Sequence, residues 1–179
     1  MQRNQKFYLM LLVLISCLGC DQISKRVAKQ ALAQSPPRTY LWETFRLQYA
    51  ENSGAFLSLG SGLPKDLRTW LFTIISGGLL VALFVYIFYA RELDKNHIFA
   101  LSLILGGGTS NLFDRIINDG KVIDFMNMGI GGLRTGIFNW ADVVIMVGMG
   151  LIILLNLSAR KKMQEDDAGN NKDDMSIKT

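Results

Sequence analysis

Apolar residues occur along this chain in long uncharged runs separated by short polar connections. The runs occupy residues 7–20, 69–90, 98–113 and 135–159, and the last is interrupted only by Asp142. A helix needs roughly 20 apolar residues to cross a hydrocarbon core of ~30 Å. The pattern therefore predicts a mainly α membrane protein with four transmembrane helices, at about 7–24, 69–90, 98–113 and 136–157.

The first run is short for a membrane span, because its fourteen residues make a helix of only ~21 Å. It ends in Leu18-Gly19-Cys20, which is similar to the cleavage site of a lipoprotein precursor, so a structural lipoprotein anchored at Cys20 is one interpretation. Three further apolar segments favour a membrane helix that continues past Asp21 until Ser35-Pro36-Pro37 stops it. Cys17 and Cys20 are then small residues on one helical face.

Between the first two spans the periodicity changes from helical to alternating. Phe45, Leu47 and Tyr49 alternate with Arg46 and Gln48, a period of two that favours a strand within a β region at about 38–62. Four glycines in residues 125–136 predict a mobile loop that could admit a substrate. The mixed charges of residues 160–179 predict a disordered tail, so residues 1–159 form a single predicted membrane domain.

Composition narrows the chemistry that this chain can perform. Half of the 179 residues are hydrophobic, and the net charge of +4 is scattered, without the basic stripe that nucleic-acid binding requires. The only histidine, His97, lies in a charged connector, and the cysteines are close together. This excludes a His-rich metal site and a catalytic Cys–His pair separated along the chain.

Carboxylates near membrane depth are the remaining candidates. A carboxylate at the edge of a hydrocarbon span is costly, and Asp124 and Asp142 could share one proton between them. Asn139 and Asp142 are i and i+3 on one helical face. Asp21 and Lys25, at i and i+4, form either an interfacial ion pair of little energetic value or a pair that orients the helix beside the site.

Five separated motifs carry a resemblance to a known family. The sequences DQISK, AENSGAF, GGGTSNLFDRI, VIDF and FNWAD, in this order, resemble lipoprotein signal peptidase, a family of membrane aspartic peptidases. The resemblance implies four transmembrane helices, a small extracytoplasmic β-sheet and a periplasm-side loop. It implies catalysis by Asp124 and Asp142, and contact with substrate or support of this pair by Asn52, Gly54, Asn111, Arg115 and Asn139. It implies that Asp21, Lys25 and Asp114 hold the scaffold, and it implies no metal or cofactor.

The resemblance also implies a substrate and a location. The substrate would be a prolipoprotein cleaved before its diacylglyceryl-modified cysteine, by a monomer in contact with membrane lipid. The protein would lie in the bacterial inner membrane, with both termini cytoplasmic and the active site toward the outer face. The alternative from the residues alone is an ion-coupled transporter or channel subunit in which Asp142 relays protons or cations, although four spans without an internal repeat disfavour it.

Overall fold

The computed structural model describes residues 2–53 and 64–176, and within them the chain is mainly helical with one small sheet. The predicted fold class, a helical membrane protein carrying a small sheet, is confirmed. Gly54 lies outside the described residues. In chain order the elements are α1 Arg3–Leu32, β1 Arg38–Tyr40, β2 Phe45–Asn52, α2 Lys65–Tyr89, α3 Lys95–Ile117, β3 Val122–Ile130, β4 Leu133–Arg134 and α4 Trp140–Ser176.

Helix α1 continues well past Asp21, as its sequence predicts, and ends shortly before Pro36 and Pro37. Its buried residues recur every three or four positions and so form one stripe along the helix. Because Asp21 and Lys25 fall in this stripe, both charges are buried. The stripe consists of Lys6, Met10, Val13, Cys17, Asp21, Lys25, Ala28 and Leu32.

Helix α3 packs between α1 and α4, and glycines make this close packing possible. A Cβ atom at Gly106 would lie 2.8 Å from Cys17 Cβ, and one at Gly107 would lie 2.6 Å from the backbone oxygen of Ala141. These distances leave no room for a larger residue, so the glycines allow the helix backbones to approach closely. The close approach brings the polar end of α3 against the other two helices.

Three helices are long and apolar enough to cross a membrane within the described part of the chain: Arg3–Leu32, Thr69–Tyr89 and Trp140–Lys161. Helix α3 does not meet that criterion, because its glycine run and its polar end at Asn111, Asp114 and Arg115 lower its mean hydropathy. The fourth span therefore stays a prediction.

The sheet is antiparallel, with the strands in the order β1-β2-β3-β4. Strand β2 confirms the alternating pattern of residues 45–49. It pairs with β3 so that Ala50 lies opposite Asp124, after a register shift between Leu47 and Ala50. Phe125 packs on Ala28 and Leu32 of α1 and so fixes the sheet to that helix.

The prediction of a mobile loop at residues 125–136 is wrong, because these residues form most of the β3–β4 hairpin. Residues 122–128 pair with β2 and residues 129–130 pair with β4, so their backbone groups take part in the sheet. The glycines provide the turn instead of mobility: Gly131 has φ +57°, a conformation that costs glycine little.

Helix α4 differs from its prediction at both ends. It begins at Trp140 rather than near residue 136, because Phe138 still pairs with Met126 of the sheet. It continues to Ser176, so a helix occupies residues 160–176 where the sequence predicts a disordered tail. Residues 160–165, RKKMQE, are all good helix formers, and the segment contains no proline to stop the helix.

Candidate active site

Asp142 is held in place by the cap of its own helix. The backbone N–H of Asp142 donates to Asn139 Oδ1, and the backbone N–H of Asn139 donates to Asp142 Oδ2, both at 3.0 Å. This reciprocal arrangement is a capping box, with Asn139 as the N-cap residue and Asp142 at the third helical position. The macrodipole at a helix N-terminus favours negative charge, so the position suits an ionised carboxylate.

Asp124 reaches the same place from the sheet. Its side chain is buried, and its two carboxylate oxygens have different amide donors. Asn139 Nδ2 donates to Oδ1 at 2.7 Å, and Asn52 Nδ2 donates to Oδ2 at 3.1 Å. The pairing of β2 with β3 places Asn52 close enough for this contact, since Asn52 lies opposite Val122.

Two asparagines connect the carboxylates to each other. Asn139 Nδ2, which donates to Asp124, also donates to Asn111 Oδ1 at 3.1 Å. Asn111 Nδ2 in turn donates to Asp142 Oδ1 at 2.9 Å. Asp124 and Asp142 thus belong to one hydrogen-bond network built from β3, α3 and the start of α4.

The environment of Asp124 raises its pKa and so makes this carboxyl easier to protonate than an ordinary aspartate. Burial raises the pKa of Asp124 from its ordinary value of 3.8 to about 6, the hydrogen bonds from Asn139 and Asn52 act in the opposite direction, and the charge of Asp142 raises it further. A protonated carboxyl can donate a hydrogen bond, whereas an ionised one only accepts. The arrangement can therefore combine one proton donor and one proton acceptor.

Below these carboxylates lies a buried ionic cluster centred on Lys25. The Lys25 ammonium lies 2.6 Å from Asp21 Oδ2 and 2.9 Å from Asp114 Oδ2, and donates to Asn111 Oδ1 at 2.9 Å. All three of its N–H donors are accordingly used. The three charged side chains are at most 2% exposed, which favours the interpretation of Asp21–Lys25 as a pair that orients its helix beside the site over that of an interfacial pair of little energetic value.

The carboxylates of this cluster also accept backbone N–H groups next to both candidate aspartates. Ala141 N–H donates to Asp21 Oδ1 at 2.8 Å, and Ile123 N–H donates to Asp114 Oδ2 at 3.0 Å. Ala141 immediately precedes Asp142, and Ile123 immediately precedes Asp124. The cluster therefore fixes the backbone of both elements one residue before each carboxylate.

The remaining site residues predicted from sequence lie close to this network. Arg115 Nη1 donates to the backbone oxygen of Asn111 at 3.4 Å, and its positive charge acts electrostatically on Asp142 and Asp124. The structure thus brings together every predicted site residue that it describes. Within residues 2–53 and 64–176, no group of three or more His, Cys, Asp or Glu side chains is placed to hold a metal ion.

Sequence reasoning missed two polar residues of the cluster. Gln22 Nε2 donates to Asp114 Oδ1 at 2.8 Å and to Ser110 Oγ at 3.0 Å, and Ser110 Oγ donates to Asp21 Oδ2 at 2.6 Å. Gln22 is one residue from Asp21 and so points in another direction around the helix. Its role could have been predicted from its position in the second half of a long membrane helix, where a side-chain amide needs a hydrogen-bond partner.

The fold and the site together define an integral membrane protein in which a buried carboxylate of a small sheet and a half-buried carboxylate at a helix N-terminus belong to one hydrogen-bond network. The sequence comparisons place this architecture in a family. The chain belongs to the signal peptidase II family, whose model matches residues 13–158. Members of this family remove signal peptides from prolipoproteins, so the chain is a bacterial integral membrane protease that acts on prolipoproteins, and the transporter interpretation is not favoured.

Individual relatives agree with this assignment. The chain is 35% identical over 128 residues to the lipoprotein signal peptidase of Borrelia duttonii (strain Ly), covering 69% of this chain and 74% of that protein. It is 35% identical over 150 residues to that of Sphingopyxis alaskensis (strain DSM 13593 / LMG 18877 / RB2256), covering 83% and 84%.

Solved structures show the same fold. A structure described as a bacterial membrane enzyme superposes with a TM-score of 0.71 at 25% identity, covering 86% of this chain and 90% of that one. A second structure of the same description gives a TM-score of 0.66 at 25% identity, covering 83% and 92%.

Proposed function

We propose that this protein is an aspartic endopeptidase in which Asp124 and Asp142 are the catalytic pair. The observation that carries the proposal is the amide network in which Asn139 contacts both residues and Asn111 contacts Asp142. Such a network would hold the two carboxylates in a fixed geometry in which they can share one proton. The bond hydrolysed would be the one before the diacylglyceryl-modified cysteine of a prolipoprotein.

The reaction needs one ionised and one protonated carboxyl. Asp142 suits the ionised role, because it accepts two N–H donors at a helix N-terminus. It would take a proton from water as the water oxygen attacks the scissile carbonyl carbon. Asp124 suits the protonated role and would donate to the carbonyl oxygen. Collapse of the tetrahedral intermediate then breaks the C–N bond, with a proton passing to the leaving amine.

The remaining groups would bind the substrate or hold the pair. Asn52 and Arg115 would contact the substrate backbone, while Asn111 and Asn139 would hold the carboxylates to which they donate hydrogen bonds. Lys25, Asp21 and Asp114 would hold the scaffold that carries both aspartates.

We further propose a monomer with four spans in the inner membrane. The candidate site lies at the ends of α3 and α4 that join the sheet, so these ends would face outward and both chain termini would be cytoplasmic. The signal helix of the substrate would enter from the lipid beside the site.

Cleavage of a lipidated prolipoprotein by the purified protein tests the proposal. Asp124→Asn and Asp142→Asn should each abolish cleavage, because asparagine keeps size and hydrogen bonding but cannot exchange a proton with water. The double variant should be no worse than either single variant, because the two residues act as a unit. Asp119→Asn is the matched control, since Asp119 is exposed in a turn with φ +56°, which asparagine tolerates.

Substantial cleavage by either single variant, in protein that inserts normally, would remove the assignment of the pair. Equal damage from Asp119→Asn would do the same, because it would show that loss of any nearby carboxylate is sufficient.

A further inference from the structure

An open cavity lies at the end of the helices opposite the candidate site. It is formed where the start of α1 meets the end of α2, and Lys6 is separated from Asp21 by about 22 Å of helix. The cavity has a volume of about 550 Å³, within the range of small-molecule sites. It is lined by Gln2, Arg3, Asn4, Lys6, Phe88, Tyr89, Ala90 and Arg91.

The charged residues of this lining are all basic. Arg3, Lys6 and Arg91 give it a formal charge of +3, and the lining contains no Asp or Glu. Lys6 is only 5% exposed, and its ammonium donates to the backbone oxygen of Ala90, which caps the C-terminal end of α2. A helix C-terminus stabilises one cation, but three cations around one cavity favour an anionic ligand.

An apolar groove continues from this basic cavity. The groove has a volume of about 310 Å³, shares Arg3, Asn4 and Phe88 with the cavity, and adds Phe7, Tyr8 and Phe84. Phe84 and Phe88 stack with ring centroids 6.2 Å apart, and Phe7 meets Phe88 edge to face at 6.4 Å. Phe7 and Phe84 belong to helices long and apolar enough to span a membrane, so the groove lies where lipid is the surrounding solvent.

We propose that the cavity and the groove together bind one anionic phospholipid. The headgroup phosphate would lie between Arg3, Lys6 and Arg91, because guanidinium and ammonium groups are strong donors to phosphate. One acyl chain would follow the aromatic groove. The bound lipid joins the start of α1 to the end of α2, at the opposite end of the bundle from the aspartates, so this site does not depend on the proposed catalytic pair.

Thermal unfolding of the full chain in neutral detergent, with lipid added, tests the proposal. Phosphatidylglycerol should raise the Tm in a saturable way, whereas phosphatidylcholine at the same concentration should have little effect. Glycerol 3-phosphate separates a lipid site from a simple phosphate site, since it carries the anion without acyl chains. Native mass spectrometry measures whether one lipid remains bound.

The variant Arg3→Gln/Arg91→Gln removes two of the three cations and leaves buried Lys6 in place. Its apparent affinity for phosphatidylglycerol should fall at least about tenfold. The matched control is Arg160→Gln/Lys161→Gln, which removes two cations at the far end of the α4 membrane span, outside the cavity lining.

Three outcomes would overturn the proposal. Equal loss of affinity in both double variants would indicate general attraction to the charge of the protein. Equal stabilisation by phosphatidylcholine would show that the basic residues do not select an anionic headgroup. A response to glycerol 3-phosphate as large as that to the lipid would show that the aromatic groove takes no part.

Discussion

Asn139 and Asp142 hold each other at the first turn of α4, because the backbone N–H of each residue donates to the side chain of the other at 3.0 Å. The same asparagine then donates from Nδ2 to Asp124 at 2.7 Å. One side chain thus starts the helix and connects the two carboxylates. This dual role can be separated by substitution.

Asn139→Ser should keep the helix cap and lose the connection. A serine hydroxyl can still accept from the N–H of Asp142, but it cannot reach Asp124 and Asn111 as the amide does. We expect the cleavage rate to fall about 10–100-fold, the equivalent of losing hydrogen bonds to a charged group. Asn139→Ala should reduce the cleavage rate by a similar factor. It should also reduce the free energy of unfolding by about 1 kcal/mol, because the helix cap is missing. Cleavage rates and thermal unfolding measured on both variants separate the roles, and wild-type cleavage by Asn139→Ser would contradict this account.

Substitution in the buried cluster around Lys25 should reduce stability more than substitution of Asn139. Lys25→Met would leave the carboxylates of Asp21 and Asp114 buried without their cation, which costs about 3–5 kcal/mol. Adding Asp114→Asn should recover part of this loss, because one buried charge disappears while the new Oδ1 can still accept from Ile123. Cleavage should fall in Lys25→Met even where the protein inserts, since the backbone before each aspartate loses its support.

The matched control for this prediction is Lys121→Met. Lys121 pairs with Glu51 at 2.6 Å, but both side chains are more than a third exposed. Exposed pairs contribute about 0–1 kcal/mol, so the unfolding temperature should change little. An equal loss of stability in Lys25→Met and Lys121→Met would mean that burial of the cluster has no energetic importance.

Structural features that depend on residues close together in the chain were predicted from the sequence, whereas features that depend on contacts between distant residues were not. Three of the four predicted membrane helices, the strand at residues 45–49 and the face shared by Asn139 and Asp142 follow from local periodicity, and each is present. The β3–β4 hairpin was not predicted, because a glycine-rich sequence becomes a strand only when a partner such as β2 lies alongside it. Gln22 was missed for the same reason, since its partners Ser110 and Asp114 are about 90 residues away in the chain.

The protonation of Asp124 predicts how stability depends on pH. Its pKa in the folded protein, about 6, is above the ordinary value of 3.8, so the folded state binds this proton more tightly than the unfolded state. The stabilisation is complete below pH ~4 and is lost as pH rises through about 6. A shift of this size corresponds to at most about 3 kcal/mol. Asp124→Asn cannot titrate, so its unfolding free energy should be flatter over this range than that of the wild type.

Thermal or denaturant unfolding at a series of pH values measures this difference, with Asp119→Asn as the control that should retain the wild-type slope. If Asp124→Asn kept the wild-type slope, another group would be responsible for it. The buried state of Asp124 would then not favour its protonated form.

The end of α4 should be dispensable for cleavage. The apolar span ends at Lys161, about 30 Å of helix from Asp142, and the helix then continues to Ser176. Truncation after Lys162 removes charged helical turns at the far end of the span from the site, so the rate of prolipoprotein cleavage should stay within about twofold of the full chain. The assay should compare purified proteins at equal concentration, so that expression does not affect the result. A large loss of activity in a well-inserted truncation would show that the segment after Lys162 contributes to the reaction or to substrate binding.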